Sequence, residues 1–240
     1  LPAARQYVRE LNLFRVRQMM PVLFAAWEQL APDNFVRALR MISIISFRYT
    51  VVSALNPNEL ESIYHTAARA IIEKRATTPS EIFTLLKPIY VPDHKFMNDF
   101  ATLAIPTSGQ RKKIVKYILA RLESQLSDRF CDPETDPASI EHILPENPTQ
   151  EWEQSFPRTQ WEAAAYRLGN LTLLAPSDNR RVGNALYHEK RAVYGQSAYT
   201  LTRQIPDLAP EEWTPALLER RQQELARRAV DIWRIDAETD

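Results

Sequence analysis

Apolar residues recur at three- and four-residue spacing through most of the chain. Leu11, Phe14, Met19, Leu23 and Trp27 predict one helix over residues 3–30. Asp33 or Asn34 can cap a second helix running to about Val52, whose Ile42-Ser43-Ile44-Ile45 stretch is apolar enough to be buried. After Asn56-Pro57-Asn58 a third helix extends to about Arg75. Thr78-Pro79-Ser80-Glu81 marks another start, with proline in the first turn and an acid beside the positive end of the helix dipole. Pro88, Pro92 and Pro106 interrupt the next stretch of chain. A further helix fits 108–128, with Arg111, Lys112, Lys113, Lys116 and Arg121 clustered along it.

At residue 131 the pattern changes. Pro133, Pro137, Pro145 and Pro148, with Pro157 just beyond, surround a short β-prone run at 139–144. Helical pieces come next near 150–154 and 158–167, and Leu171-Thr172-Leu173-Leu174 reads as a strand. Residues 177–195 are helical but interrupted, and 210–234 form a terminal amphipathic helix. Gly169, Gly183 and Gly195, three of the chain's four glycines, fall in this part. The expected fold is therefore mainly α. Residues 1–130 form a helical module, and residues 131–240 set two short strands among helices.

Composition agrees with that reading. The chain has 240 residues, 45% hydrophobic and 25% charged, which is ordinary for a folded domain and long enough for a real core. Four glycines against many Leu, Ala, Arg and Glu favour helices over sheets. The lone Cys131 excludes an internal disulfide and a Cys-rich zinc site, so the cytoplasm is the expected compartment. No run of about 20 apolar residues predicts a membrane span. The chain begins at Leu1, without an initiator Met or a signal-peptide pattern, and reads as a piece of a longer protein. A net charge of zero argues against a generally basic nucleic-acid binder, yet residues 1–130 carry 18 basic and 11 acidic groups and residues 131–240 carry 12 and 19. A basic half beside an acidic half can place DNA on one face, or the halves can simply attract each other.

The chemistry-bearing stretch is Ile140-Glu141-His142-Ile143-Leu144-Pro145, then Leu168-Gly169-Asn170-Leu171-Thr172-Leu173-Leu174, then Asn179. In a regular strand Glu141 and His142 point to opposite sides, and both can face one phosphate only if the strand is distorted or ends there. An acid oxygen can hold a divalent cation, and a neutral imidazole beside it can take a proton from water. Structural alternatives exist for each residue. Gly169-Asn170 can be a turn, Asp178-Asn179 can cap a helix, Glu141 can be a salt-bridge partner, and the nearby basic residues can form a solvated face. His65, His94 and His188 lack partners at metal-ligand spacing. Trp152, Trp161, Trp213 and Trp233 sit at core-like helical positions.

Glu141-His142-x-x-Pro145, Asn170-Leu171-x-x-Leu174 and Asn179 nine residues after Asn170 resemble the HNH (His-Me finger) nucleases. Gly183-Asn184, Tyr187, Glu189-Lys190-Arg191 and Tyr194 narrow the likeness to the C-terminal nuclease domain of GmrSD-type modification-dependent restriction enzymes, found also in phosphorothioation-sensing phage-defence nucleases. The resemblance covers about 131–205. It implies a small ββα-metal finger embedded among helices, with 131–240 as the nuclease domain and 1–130 as a connector module. It implies a metal-dependent endonuclease that hydrolyses DNA, with Mg2+ or Mn2+ as cofactor. His142 would be the general base, Asn170 would hold it through the strand backbone, and Glu141 and Asn179 would be the metal ligands. Lys190 would meet phosphate or the transition state, with Arg180, Arg181 and Arg191 contacting nucleic acid. Implied partners are DNA, an N-terminal NTPase-like sensor domain of the full-length protein, and a second copy in a homo-oligomer. The alternatives are an RNA nuclease on the same fold, or an inactive helical DNA-binding or interaction module. The chain departs from the usual pattern in having Glu141 for Asp, Asn179 for a final His, and no Cys-pair zinc knuckle.

Overall fold

In the computed structural model, residues 2–127 and 129–236 are described, with side chains from Ala4 onward; Asp128, the expected end of the basic helix, lies outside them. The fold is mainly helical with one small two-stranded antiparallel sheet. The chain packs as two compact units, residues 1–100 with 233–240, and residues 101–232. The division falls well before 131, where the composition changes.

The first unit contains α1 (Pro2–Phe14), α2 (Met20–Gln29), α3 (Pro32–Ser46), α4 (Pro57–Ile72), α5 (Pro79–Leu86) and the start of α6 (Asp93–Thr102). The single helix expected over 3–30 is two helices. Arg15 turns into the left-handed region at φ 58°, and Pro21 sits in the first turn of α2, where its missing N–H costs nothing. The second expected helix ends at Ser46 and continues as a π-helical turn, Phe47–Val52. The expected helix start is a capping box, with Thr78 and Glu81 each bonding the other's backbone. The core is aromatic. Phe47 stacks on Trp233 at 4.3 Å, and Phe14 and Phe96 pack beside it. Arg48 lies fully buried among them, donating to the carbonyls of Trp233 and Val91 and to Asp93.

The second unit holds the sheet. It comprises α7 (Gly109–Leu126), β1 (Ser139–His142), α8 (Trp161–Ala165), β2 (Leu171–Leu174), α9 (Pro176–Val182), α10 (Tyr187–Tyr194), α11 (Thr200–Arg203), α12 (Ile205–Leu208) and α13 (Pro215–Ile232). The strands pair in the register Ser139–Leu174, Ile140–Leu173, Glu141–Thr172 and His142–Leu171. Every residue of β2 is buried, so helices cover the sheet on both faces. Thr172, the polar member of β2, is satisfied by the Thr202 hydroxyl at 2.8 Å. A 3-10 turn over Leu168–Asn170 leads into β2 and lies against α13. Contact there is so close that a Cβ on Gly169 would stand 2.6 Å from the Leu218 carbonyl oxygen. The Arg221 guanidinium, also buried, donates to the carbonyls of Gly169 and Leu171, both at 2.8 Å. Gly183, at φ 44°, separates α9 from α10 and accounts for the interrupted helical pattern.

Candidate active site

His142 ends β1, and its ring stands among Thr107, Glu146 and Tyr166. Nε2 is 3.3 Å from the Thr107 hydroxyl and 3.4 Å from a Glu146 carboxylate oxygen. Burial, against the pull of Glu146 and with help from the positive charges of Lys190 and Lys112, pushes the imidazole down to about 4. It is therefore neutral at pH 7, the form that accepts a proton.

Asn170 is fully buried and uses both ends of its amide. Its Oδ1 accepts from the Leu144 N–H at 2.8 Å and from the Trp213 indole at 3.2 Å. Its Nδ2 donates to the carbonyls of Leu144 at 2.9 Å and Ala165 at 3.2 Å. The Asn170 carbonyl also takes the N–H of Ile143 at 2.9 Å. The backbone directly after His142 is thus gripped at two residues, which determines where the strand leaves the imidazole.

Asn179, on α9, reaches back to β1. Its Nδ2 donates to the Ile140 carbonyl at 2.9 Å and to the Ser139 hydroxyl at 3.0 Å. A carbonyl can only accept, so the amide nitrogen must face the strand and Oδ1 turns away from it. Arg180, Arg181 and Arg191 are exposed, with Arg181 paired to Asp178 at 3.1 Å.

Glu141 and Lys190 depart from their expected surroundings. The ladder is regular through His142, so Glu141 faces the opposite side from the imidazole. Its Oε1 accepts from Lys190 Nζ and from the Tyr194 hydroxyl, both at 2.7 Å. Lys190 is 1% exposed, and its ammonium also donates to the His142 carbonyl at 2.7 Å. It lies inside the protein, bracing the strand, and not on a surface that phosphate reaches. Burial pushes the Glu141 carboxyl up and the Lys190 ammonium down, while their mutual attraction opposes both.

Residues 90–228 match the family described as GmrSD restriction endonucleases, C-terminal domain. The chain belongs to that family. No curated protein matches it closely. Membership supports a restriction-endonuclease role in defence. The GmrSD match takes in α7, both strands and most of α13, so it begins ahead of the region where the HNH resemblance was legible. No helix among the described residues is long and apolar enough to cross a membrane.

Within this GmrSD domain, Thr107, Glu146 and Tyr166 are neighbours of His142 that the sequence pattern did not mark. One signal was present, the four-residue spacing of His142 and Glu146. Thr107 had none, being 35 residues away. The two expected metal ligands differ in their surroundings. Asn179 offers an amide oxygen turned from the strand, a suitable hard donor for Mg2+ or Mn2+. Glu141 is buried, and an ammonium and a phenol hold its Oε1. Among the described residues no three His, Cys, Asp or Glu side chains gather as a metal-binding group.

Proposed function

We propose that this domain is a metal-dependent HNH endonuclease that hydrolyses DNA phosphodiester bonds, with His142 as general base. The observation that carries the reading is the β1–β2–α9 unit. A neutral imidazole ends its first strand, and Asn179 on the following helix is bonded to that same strand. The ββα order and the Asn179 contact support an HNH finger, and the family's restriction role supports DNA as substrate in the cytoplasm.

His142 takes a proton from water, and the hydroxide so formed attacks phosphorus. Asn170 sets the strand exit and, through it, the ring's position. Lys190 fastens the same residue from behind by its bond to the His142 carbonyl. Asn179 would hold a Mg2+ or Mn2+ ion by Oδ1, and that ion would supply positive charge for the phosphate and the leaving 3′-oxygen. Exposed Arg180, Arg181 and Arg191 are available to backbone phosphates. Target selection and nucleotide control would belong to a sensor domain in the full-length protein.

The test is plasmid nicking by the purified chain in Mg2+, Mn2+ or EDTA, with a labelled RNA and His142→Ala in parallel. DNA nicking that needs metal and vanishes in the variant is expected. Cleavage of RNA alone would replace the substrate, and undiminished nicking by His142→Ala would remove the base assignment.

A further inference from the structure

We infer that Thr107 and Glu146 are positioning residues for His142, a hydroxyl–carboxylate relay that holds the imidazole by Nε2 and leaves Nδ1 to face the water. The inference about Nδ1 rests on His142 being the base, whereas the relay itself does not.

The number of available hydrogens decides the tautomer. The Thr107 hydroxyl donates to Glu146 Oε1 at 2.8 Å. A hydroxyl has one hydrogen, and an ionised carboxylate can only accept, so that hydrogen is committed to Glu146. What Thr107 presents to His142 Nε2, 3.3 Å away, is therefore a lone pair. A bare Nε2 would set its own lone pair against that oxygen and against the Glu146 carboxylate at 3.4 Å. The stable arrangement carries the hydrogen on Nε2. A neutral imidazole has only one N–H, so Nδ1 is the unprotonated, accepting nitrogen. When Nδ1 takes a proton, the resulting cation already has a carboxylate beside Nε2.

The relay is anchored at both ends. The segment before Thr107 is tied down by the Ile105 N–H donating to the Tyr166 carbonyl at 2.9 Å and by a bridge between Ala104 and Arg167. Glu146 comes after Pro145, directly beyond the Leu144 backbone that Asn170 grips. The Tyr166 ring stands edge-on to His142 at 6.1 Å, and its hydroxyl also faces Glu146. The charged groups around the imidazole are Glu146 from the loop after β1, Lys112 from α7 and Lys190 from α10. Of these, only Glu146 can stabilise a cation.

The experiment combines long-range 1H–15N spectra of the histidine side chains with cleavage kinetics. Wild type, Thr107→Val, Thr107→Ser and Glu146→Gln are compared, and His142→Ala assigns the His142 signals. Thr107→Val keeps the shape and removes the relay; Thr107→Ser restores it. Wild type and Thr107→Ser are expected as the Nε2–H tautomer with a hydrogen-bonded proton shift, which Thr107→Val loses. In cleavage, kcat falls roughly tenfold to a hundredfold in Thr107→Val, the size of loss known for groups that orient metal-bound histidines. KM stays put, and Thr107→Ser recovers the rate. Glu146→Gln still accepts the hydroxyl hydrogen, so the tautomer holds while kcat falls with the lost charge. A wild-type spectrum with the proton on Nδ1, or an unchanged Nε2 signal in Thr107→Val, overturns the relay. If no variant or wild type cleaves, the nuclease reading fails, and the spectra alone decide the relay.

Discussion

Replacing Lys190 by Met tests whether the buried pair behind His142 is held as the structure has it. The substitution keeps a long side chain and removes the charge. At 2.7 Å the gross attraction between Lys190 and Glu141 is about 6 kcal/mol at an effective dielectric of 20. The loss cannot reach that figure, because a stranded Glu141 carboxylate has a cheaper escape: it takes up a proton. Protonating a glutamate of ordinary pKa 4.3 at pH 7 costs about 3.7 kcal/mol, at 1.36 kcal/mol per unit. The lost bond from Nζ to the His142 carbonyl adds about 1 kcal/mol. The variant should therefore be less stable by about 4–5 kcal/mol at pH 7.

The sign with pH comes from the same step. In the variant the folded state holds a proton on Glu141 that the unfolded chain releases above its own pKa. Stability then falls as pH rises, and recovers by about 1.4 kcal/mol per unit on acidification. At pH 5 the penalty should shrink to about 2 kcal/mol. Urea unfolding of the purified chain at pH 7 and pH 5, monitored by circular dichroism, measures both values. Glu141→Gln combined with Lys190→Met removes both charges and should recover much of the loss. A penalty that stays the same between pH 7 and pH 5, or a variant as stable as wild type at pH 7, would refute the reasoning.

Three further outcomes are expected. With neutral His142 as the proposed base and its pKa pushed down to about 4, cleavage should hold level from pH 8 to pH 6 and decline only toward pH 4; a pH–rate profile that breaks near 6.5 would contradict this. Asn179→Ala should shift the Mg2+ concentration for half-maximal cleavage upward by roughly tenfold, and an unmoved metal titration would take Asn179 out of the metal site. Gly169→Ala forces a methyl to within 2.6 Å of the Leu218 carbonyl, so urea unfolding should show a loss of about 1–3 kcal/mol; wild-type stability would mean that α13 does not pack closely on the 3-10 turn.

What the sequence disclosed was mostly local. The helix start at Thr78–Glu81, the strands at 139–144 and 171–174, and the interruption at Gly183 each rest on residues within one turn of each other. The break near residue 15 was missed because the apolar spacing runs through it, although Pro21 marks the start of α2. Helix α6 was missed because Pro88 and Pro92 read as interruptions, when Pro92 in fact stands just before its first turn. The site divides in the same way. The spacing from His142 through Asn170 to Asn179 selected residues that do meet around β1. It could not say which of them face outward. Glu141 and Lys190 look in sequence like any surface acid and base, and only a helix packed 49 residues later turns them toward each other. Strand alternation already forbade Glu141 and His142 from sharing a face while the ladder stayed regular. The motif therefore joins two kinds of residue: His142 and Asn179, which in the proposed mechanism would meet water and a cation, and Asn170, Glu141 and Lys190, which hold the strand that carries them.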